Sequence, residues 1–249
     1  MKTKGTSSTG SDSGRGRNAR LLLLVVAAVA ALSASPLRAG DGPFSIILKG
    51  NLTTSSLIYL TPDAIDPVAR GNTFDLTGAF GYGAEIRFRI PETSLALGFS
   101  TDYIRSRGTS SLNGTTLPVE DGYTAIPVEL TGYFIIPLSG EYFGVFMGGG
   151  AGMYFGSRTY SLAGVEAVTV QNTPGFAIHV LGGISYRFLN SFQGIFEMKF
   201  RDLQFESVDA FNTRVIRYQD TVINVSTQPF KSRIETDGII FQLGIAYTF

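Results

Sequence analysis

From Phe44 onwards the chain alternates apolar and polar residues with a period of two. That period puts successive side chains on opposite faces of a β-strand. Eight stretches carry it: about 44–56, 73–90, 94–105, 123–136, 142–155, 176–188, 192–200 and 237–249. The second sets Phe74, Leu76, Phe80, Tyr82, Ala84, Ile86, Phe88 and Ile90 against Asp75, Thr77, Glu85, Arg87 and Arg89. The last sets Ile239, Phe241, Leu243, Ile245, Tyr247 and Phe249 against Gly238, Ile240, Gln242, Gly244, Ala246 and Thr248. One face of each strand is greasy and aromatic. The other is small, polar or charged.

The connections between stretches follow a second rhythm. Pro91-Glu92-Thr93, residues 137–141 and Leu189-Asn190-Ser191 are short and rich in turn formers. The stretches 59–72, 108–122, 156–173 and 206–233 are long and polar. Short and long alternate, and the strand count is even. A transmembrane barrel with short periplasmic turns and long outer loops has that pattern. In hydrocarbon every backbone group must be paired, so a sheet can cross a membrane only if it closes on itself. The expected architecture is therefore all-β: an eight-stranded antiparallel up-and-down transmembrane barrel. Aromatic girdles are expected at the turn end (Phe88, Phe134, Tyr186, Phe188, Phe192, Tyr247, Phe249) and at the outer end (Phe74, Tyr103, Phe155, Phe176). A hairpin is expected within Thr213–Thr227, turning at Gln219-Asp220.

Before the alternation begins, the pattern is different. Residues 1–20 are polar and basic, Leu21–Leu32 is continuously apolar, and small residues follow to Ala39. That order predicts a cleaved signal peptide over 1–39, cut after Ala34 or Ala39, and a barrel domain over 40–249. Twelve apolar residues fall short of the roughly 20 that a membrane-crossing helix needs. The charge is divided at the same place. Residues 1–39 carry six basic side chains against Asp12, and because the whole chain is neutral the remainder is net acidic. An acidic barrel offers no electrostatic reason to bind nucleic acid. With no cysteine there is no disulfide or thiolate metal site.

The charged residues of the strands gather on the non-greasy face: Lys49, Asp75, Glu85, Arg87, Arg89, Asp102, Glu129, His179, Arg187, Glu197, Lys199 and Arg201. Eight strands enclose a space that side chains can fill. Leaving a charge buried and unpaired costs several kcal/mol. These twelve residues are accordingly expected to form a polar network that largely plugs the interior. No phosphate loop, metal-binding motif or calcium loop is present, so no cofactor and no metal are expected. His179, the sole histidine, is read as an interior polar residue. As a catalytic base it would need a nucleophile and an orienting carboxylate beside it.

The final Gly244-x-x-Tyr247-x-Phe249 resembles the C-terminal assembly signal of bacterial outer-membrane β-barrels. The tract I-P-V-E-L-T-G-Y-F, Ile126–Phe134, is similar to a strand found in many OmpA-like barrel domains. Together the segments resemble the small outer-membrane barrel superfamily that includes the OmpA transmembrane domain, OmpX and OmpW. The resemblance implies a bacterial outer-membrane location, outer-membrane lipid as surroundings, and engagement of the barrel-assembly machinery through the last strand. It says little about activity, since this architecture hosts many functions; a monomer is expected and, with no matching catalytic motif, no enzymatic activity. The expected role is structural or surface-interacting through four long outer loops. The alternatives are an OmpW-like channel for small or hydrophobic solutes and, more remotely, a lipid-modifying enzyme.

Overall fold

The polypeptide is represented by a computed structural model that describes residues 42–111, 116–137, 142–219, 221–236 and 238–249. The expected signal peptide lies outside the described residues, as do Asp220 and Asp237 of the expected hairpin turn and last strand. The chain runs β1 (Phe44–Tyr59), α1 (Pro67–Arg70), β2 (Thr73–Arg89), β3 (Leu95–Ser111), β4 (Pro118–Ile135) and β5 (Phe143–Leu162). It continues through β6 (Val165–Glu166), β7 (Val168–Thr173), β8 (Gly175–Arg187), β9 (Phe192–Arg201) and β10 (Leu203–Ala210). The last elements are β11 (Val215–Tyr218), β12 (Thr221–Asn224), β13 (Phe230–Thr236) and β14 (Ile239–Thr248). None of the described helices is long and apolar enough to cross a membrane.

Eight strands close a ring in the order β1-β2-β3-β4-β5-β8-β9-β14, and β14 returns to β1. The closing register runs from Ser45↔Thr248 to Thr53↔Ile240, all antiparallel. Closure leaves no edge in this part of the sheet, as a hydrocarbon environment demands. Outward side chains form the apolar belt that the alternation predicts. On β5 they run from Phe143 through Met147 and Met153 to Phe155, all exposed. Twelve residues at about 3.3 Å each, tilted about 40°, cover roughly 30 Å, the thickness of a bilayer core. Aromatics edge the belt: Phe192 packs on Tyr247 at 5.1 Å and Phe44 on Phe88 at 4.9 Å between ring centroids. Tyr82 meets Tyr103 at 5.6 Å at the other edge.

Above the belt the ring divides. β2 and β3 pair only as far as Phe80↔Arg105. Beyond it β2 stays bonded to β1 as far as Tyr59↔Thr73, and β3 to β4 as far as Ser111↔Pro118. β5 likewise leaves β8 after Tyr154↔Gly175. The outer end is thus two leaves: β3-β4-β5 on one side, β7-β10-β13-β1-β2 on the other. The stretches read as long loops, 108–122, 156–173 and 206–233, are largely strand. Their alternation is real but polar on its outer face, because it stands in water rather than lipid.

Two expectations fail on β2. Asp75 faces outward and is exposed, while Leu76 is buried and Phe74 packs half-buried against the interior. Asp75 therefore lies outside the interior network, and Phe74 is no girdle residue. The cause is Gly78, whose φ of +76° breaks the strict alternation and reverses the facing of everything beyond it. A Cβ at Gly78 would meet nothing within 4 Å, so only backbone strain opposes a side chain there. Gly78→Ala is expected to destabilise the barrel by about 1–2 kcal/mol, the usual cost of a left-handed non-glycine residue. The urea midpoint of the detergent-folded protein measures it.

Candidate functional site: a layered barrel interior and its outer mouth

A single line of inward residues along β9 and β10 displays the interior from bottom to top. Gln193 is followed by Ile195, then Glu197, Lys199 and Arg201, then Leu203 and Phe205, then Ser207 and Asp209. The interior is therefore not uniformly polar, as the charged faces had suggested. It is a charged layer between two apolar ones, with a second polar cluster above.

In the charged layer, Lys49, Glu85, Arg87 and Glu197 close a four-membered ring of alternating sign. Lys49 Nζ donates to Glu85 Oε2 at 2.5 Å and to Glu197 Oε2 at 3.1 Å. Arg87 donates through Nε to Glu85 at 2.7 Å and through Nη2 to Glu197 at 2.8 Å. Arg87 also lies over the Tyr133 ring, 3.8 Å from its centroid, so it reaches from β2 over Gly98 of β3 to β4. The contact between Lys49 and Glu197 passes over β14 at Gly244, which pairs with Lys49. A Cβ at Gly244 would sit 3.1 Å from Lys49 Cγ and 2.7 Å from the Leu48 carbonyl oxygen. The last-strand glycine thus has a packing reason of its own. Glu129 centres a second group: Lys199 Nζ donates to it at 2.5 Å, the Tyr154 hydroxyl also donates to it, and Arg201 lies 3.9 Å away. His179 Nε2 is 2.9 Å from Thr131 Oγ1, and its Nδ1 is 3.9 Å from Glu129. Asp102 is buried in the same layer, its Oδ1 without a hydrogen-bond partner among the described residues.

Of the twelve polar residues expected inside, Lys49, Glu85, Arg87, Glu197, Glu129, Lys199, His179 and Arg201 meet in these two groups. Arg89 and Arg187 instead line a cavity of about 770 Å³ at the turn end, below the lower apolar layer. That layer is Ile47, Ala96, Tyr133, Phe146, Leu181, Ile195 and Ala246. The upper layer contains Ile58, Leu76, Ile104, Tyr123, Tyr154, Leu203, Phe205 and Ile234, each at most 3% exposed. Tyr247 and Phe249 of the terminal motif face outward, their rings 6.0 Å apart.

The mouth above the upper layer holds residues that sequence reasoning missed. Arg158 donates to Asp121 through both Nε, at 2.8 Å, and Nη2, a bidentate pair buried at the base of a cavity of about 510 Å³. Its guanidinium also stands 4.6 Å from the Tyr160 ring centroid and 5.7 Å from that of Phe230. Tyr160, Phe211 and Phe230 pack on one another at 5.7–6.2 Å. Leu60, Phe74, Val119, Leu162 and Val225 complete the apolar wall, and Ser110, Ser111 and Ser226 supply hydroxyls. The signal was present: Arg158, Tyr160 and Leu162 keep step with the inward residues of β5, and Ser207 and Asp209 with those of β9.

Asp209 accepts from the Ser207 hydroxyl at 3.0 Å and from Thr169 Oγ1 at 2.8 Å, tying β7 to β10. Burial raises its carboxyl above the ordinary range; the two hydroxyls and Arg158 only partly oppose that. The folded state then holds this proton at a pH where the unfolded chain has released it. Stability falls as pH rises from the unfolded carboxyl pKa through the folded one. Asp209→Asn, which keeps one acceptor, is expected to be more stable than the parent at pH 7.5, with the difference fading at pH 3. Urea midpoints at the two pH values test this.

No protein-family model and no curated protein matches the chain at the level of sequence. Among solved structures it is similar to the outer membrane protein OprG of Pseudomonas aeruginosa, with 14% identity and a TM-score of 0.56, over 85% of this chain and 97% of OprG. It is also similar to Neisserial surface protein A, with 10% identity and a TM-score of 0.45 over 83% and 97% of the two chains. Ail of Yersinia pestis gives 13% and 0.40 over 84% and 99%. The closed ring of eight antiparallel strands, the aromatic-edged apolar belt and the likeness to OprG in fold make this chain a small β-barrel protein of the bacterial outer membrane.

Proposed function

We propose that this is a non-conducting, monomeric outer-membrane barrel that acts at the cell surface, taking small, uncharged, largely apolar solutes into its outer mouth. The observation that carries the reading is the 510 Å³ cavity, walled by Tyr160, Phe211, Phe230, Leu162 and Val119. Its size and lining suit a small organic molecule: mostly apolar walls with a few placed polar groups. The charges on it, Asp121 and Arg158, are spent on each other, so neither a free anion nor a free cation is favoured over a neutral solute. Beneath the cavity the upper apolar layer and the Lys49–Glu85–Arg87–Glu197 ring leave no counter-charge for ions to follow. That favours surface binding over an axial channel. His179 is read as part of the plug, bonded to Thr131 and covered by the upper layer. Unchanged lipid A masses in cells carrying His179→Ala agree with that; an altered lipid A would instead make the barrel an enzyme.

The chain has no tryptophan, so Tyr160→Trp gives a single reporter in the cavity. In lipid nanodiscs, 4-bromophenol is expected to quench it saturably. A control with Phe200→Trp, on the lipid face, reports partition into the bilayer and is expected to quench without saturation. Equal, unsaturable quenching of both would overturn the cavity reading. Steady single-channel openings in planar bilayers would overturn the non-conducting one.

A further inference from the structure

The cavity of about 770 Å³ at the turn end differs from the outer mouth in its charge. Ile47, Ala96, Phe146, Ile195 and Ala246 of the lower apolar layer line its floor. Arg89 and Arg187 line it as well. β2 and β8 lie four strands apart whichever way the ring of eight is followed, so the two arginines rise from opposite walls. On the β9-β14-β1 side a polar row runs between them. Gln193 Nε2 donates to Thr248 Oγ1 at 3.5 Å, and Thr248 Oγ1 lies 2.9 Å from Ser45 Oγ. All three residues of the row face the cavity. Among the described residues that line it, Glu92 is the one acid, against three arginines.

The plug does not account for Arg89 and Arg187. The Lys49–Glu85–Arg87–Glu197 ring is neutral in itself, with two cations and two anions in contact. Lipid headgroups do not account for them either. Tyr186 and Phe188, on either side of Arg187, are exposed toward lipid, and Phe88, beside Arg89, packs on Phe44 at the edge of the belt. Both arginines therefore turn into the lumen, above an apolar floor.

We propose that the turn-end cavity is a binding site, open to the periplasm, for a small monocarboxylate with an apolar body. The carboxylate is held by Arg89 and Arg187, and the apolar body lies on the floor of Ile47, Phe146 and Ile195. A guanidinium has several N–H donors in a planar fork, so it can hold a carboxylate beside another partner. The Gln193–Thr248–Ser45 row offers further polar groups to the same head. A volume of this size, with an apolar floor and a few placed polar groups, is that of a small-molecule pocket. One negative charge suits the lining better than two, because Glu92 stands at the rim and Glu85 and Glu197 lie just beneath the floor. The site is independent of the outer cavity, since the charged ring and both apolar layers separate them.

The test uses the full chain in phosphatidylcholine nanodiscs with Ser94→Trp as a single reporter in the cavity. Quenchers are 4-bromobenzoate, its neutral counterpart 4-bromobenzamide, and 4-bromophenyl phosphate, which carries a second charge. The carboxylate is expected to quench saturably and to bind about tenfold more tightly than the amide, the scale of one charge-assisted hydrogen bond. The phosphate is expected to bind more weakly than the carboxylate. Arg89→Gln and Arg187→Gln are each expected to remove most of the preference for the carboxylate and to leave the amide unchanged, with Arg89→Lys restoring part of it. Should Arg187→Gln fail to give the heat-shifted folded band, Arg89→Gln, at an exposed position, decides alone. Equal binding of carboxylate and amide overturns the proposal, as does a preference that Arg89→Gln leaves intact. Unsaturable quenching equal to that of Phe200→Trp on the lipid face overturns it as well. Tighter binding of the phosphate overturns the assignment to a monoanion.

Discussion

Glu197→Ala is expected to cost the barrel about 3–5 kcal/mol, the cost of removing one partner from a buried ion pair. Glu197 is 0% exposed and accepts from both Lys49 and Arg87. Without it, two cations share Glu85 alone, inside a closed sheet whose outer face is hydrocarbon. Lys49 is sealed from water, and Arg87 reaches it only at the edge of the turn-end cavity, so most of the desolvation cost is not recovered. Glu197→Gln should cost less, because the amide oxygen still accepts one hydrogen bond. The combined Lys49→Met and Glu197→Leu change should cost less than the sum of the single changes, since it removes opposite charges together. Urea titrations of the folded, heat-shifted gel band measure the parent, these variants and the two single changes of the pair. A loss below about 1 kcal/mol for Glu197→Ala would mean that the ring is solvated and that the interior is not plugged there.

Phe205→Ala is expected to cost about 3–5 kcal/mol for a different reason. Its ring is 2% exposed, meets Tyr123 edge-on at 6.0 Å, and covers Gly156, where a Cβ would lie 2.4 Å from it. The two leaves above the belt touch through this layer, where β10 packs on β5 without a ladder between them. Truncation leaves a void that the closed ring beneath cannot collapse to fill. The midpoint of urea unfolding should fall. Amide exchange should quicken in β7, β10 and β13 while β9 and β14 stay protected. Uniformly faster exchange around the whole ring would show that the leaves are not an independent part of the structure.

Much of this protein is written along the chain. The alternation from Phe44 to Phe249 names the eight staves and their lipid face, because a period of two needs no partner to be visible. Short turns against long connections give the up-and-down order. The inward charges of the staves are legible as a set, since no charge can face lipid cheaply. What those charges do to one another was decided by closure. Lys49 and Glu197 lie on strands separated by β14, and only the ring's register, with Gly244 leaving room, brings them together.

The outer end was the least legible part. Polar alternation in water looks like a loop when only greasiness is counted, so Arg158, Asp121 and Asp209 were passed over. Asp75 was misplaced because one glycine with positive φ reverses the faces of a strand, and no pattern of polarity announces such a reversal. Below the reversal at Gly78, the sequence by itself determined which residues of the belt face lipid, because each side chain's neighbour there is the same everywhere: hydrocarbon. Only the tertiary structure decided which residues meet inside and at the mouth, because those neighbours come from other strands, through register, closure and the parting of the two leaves.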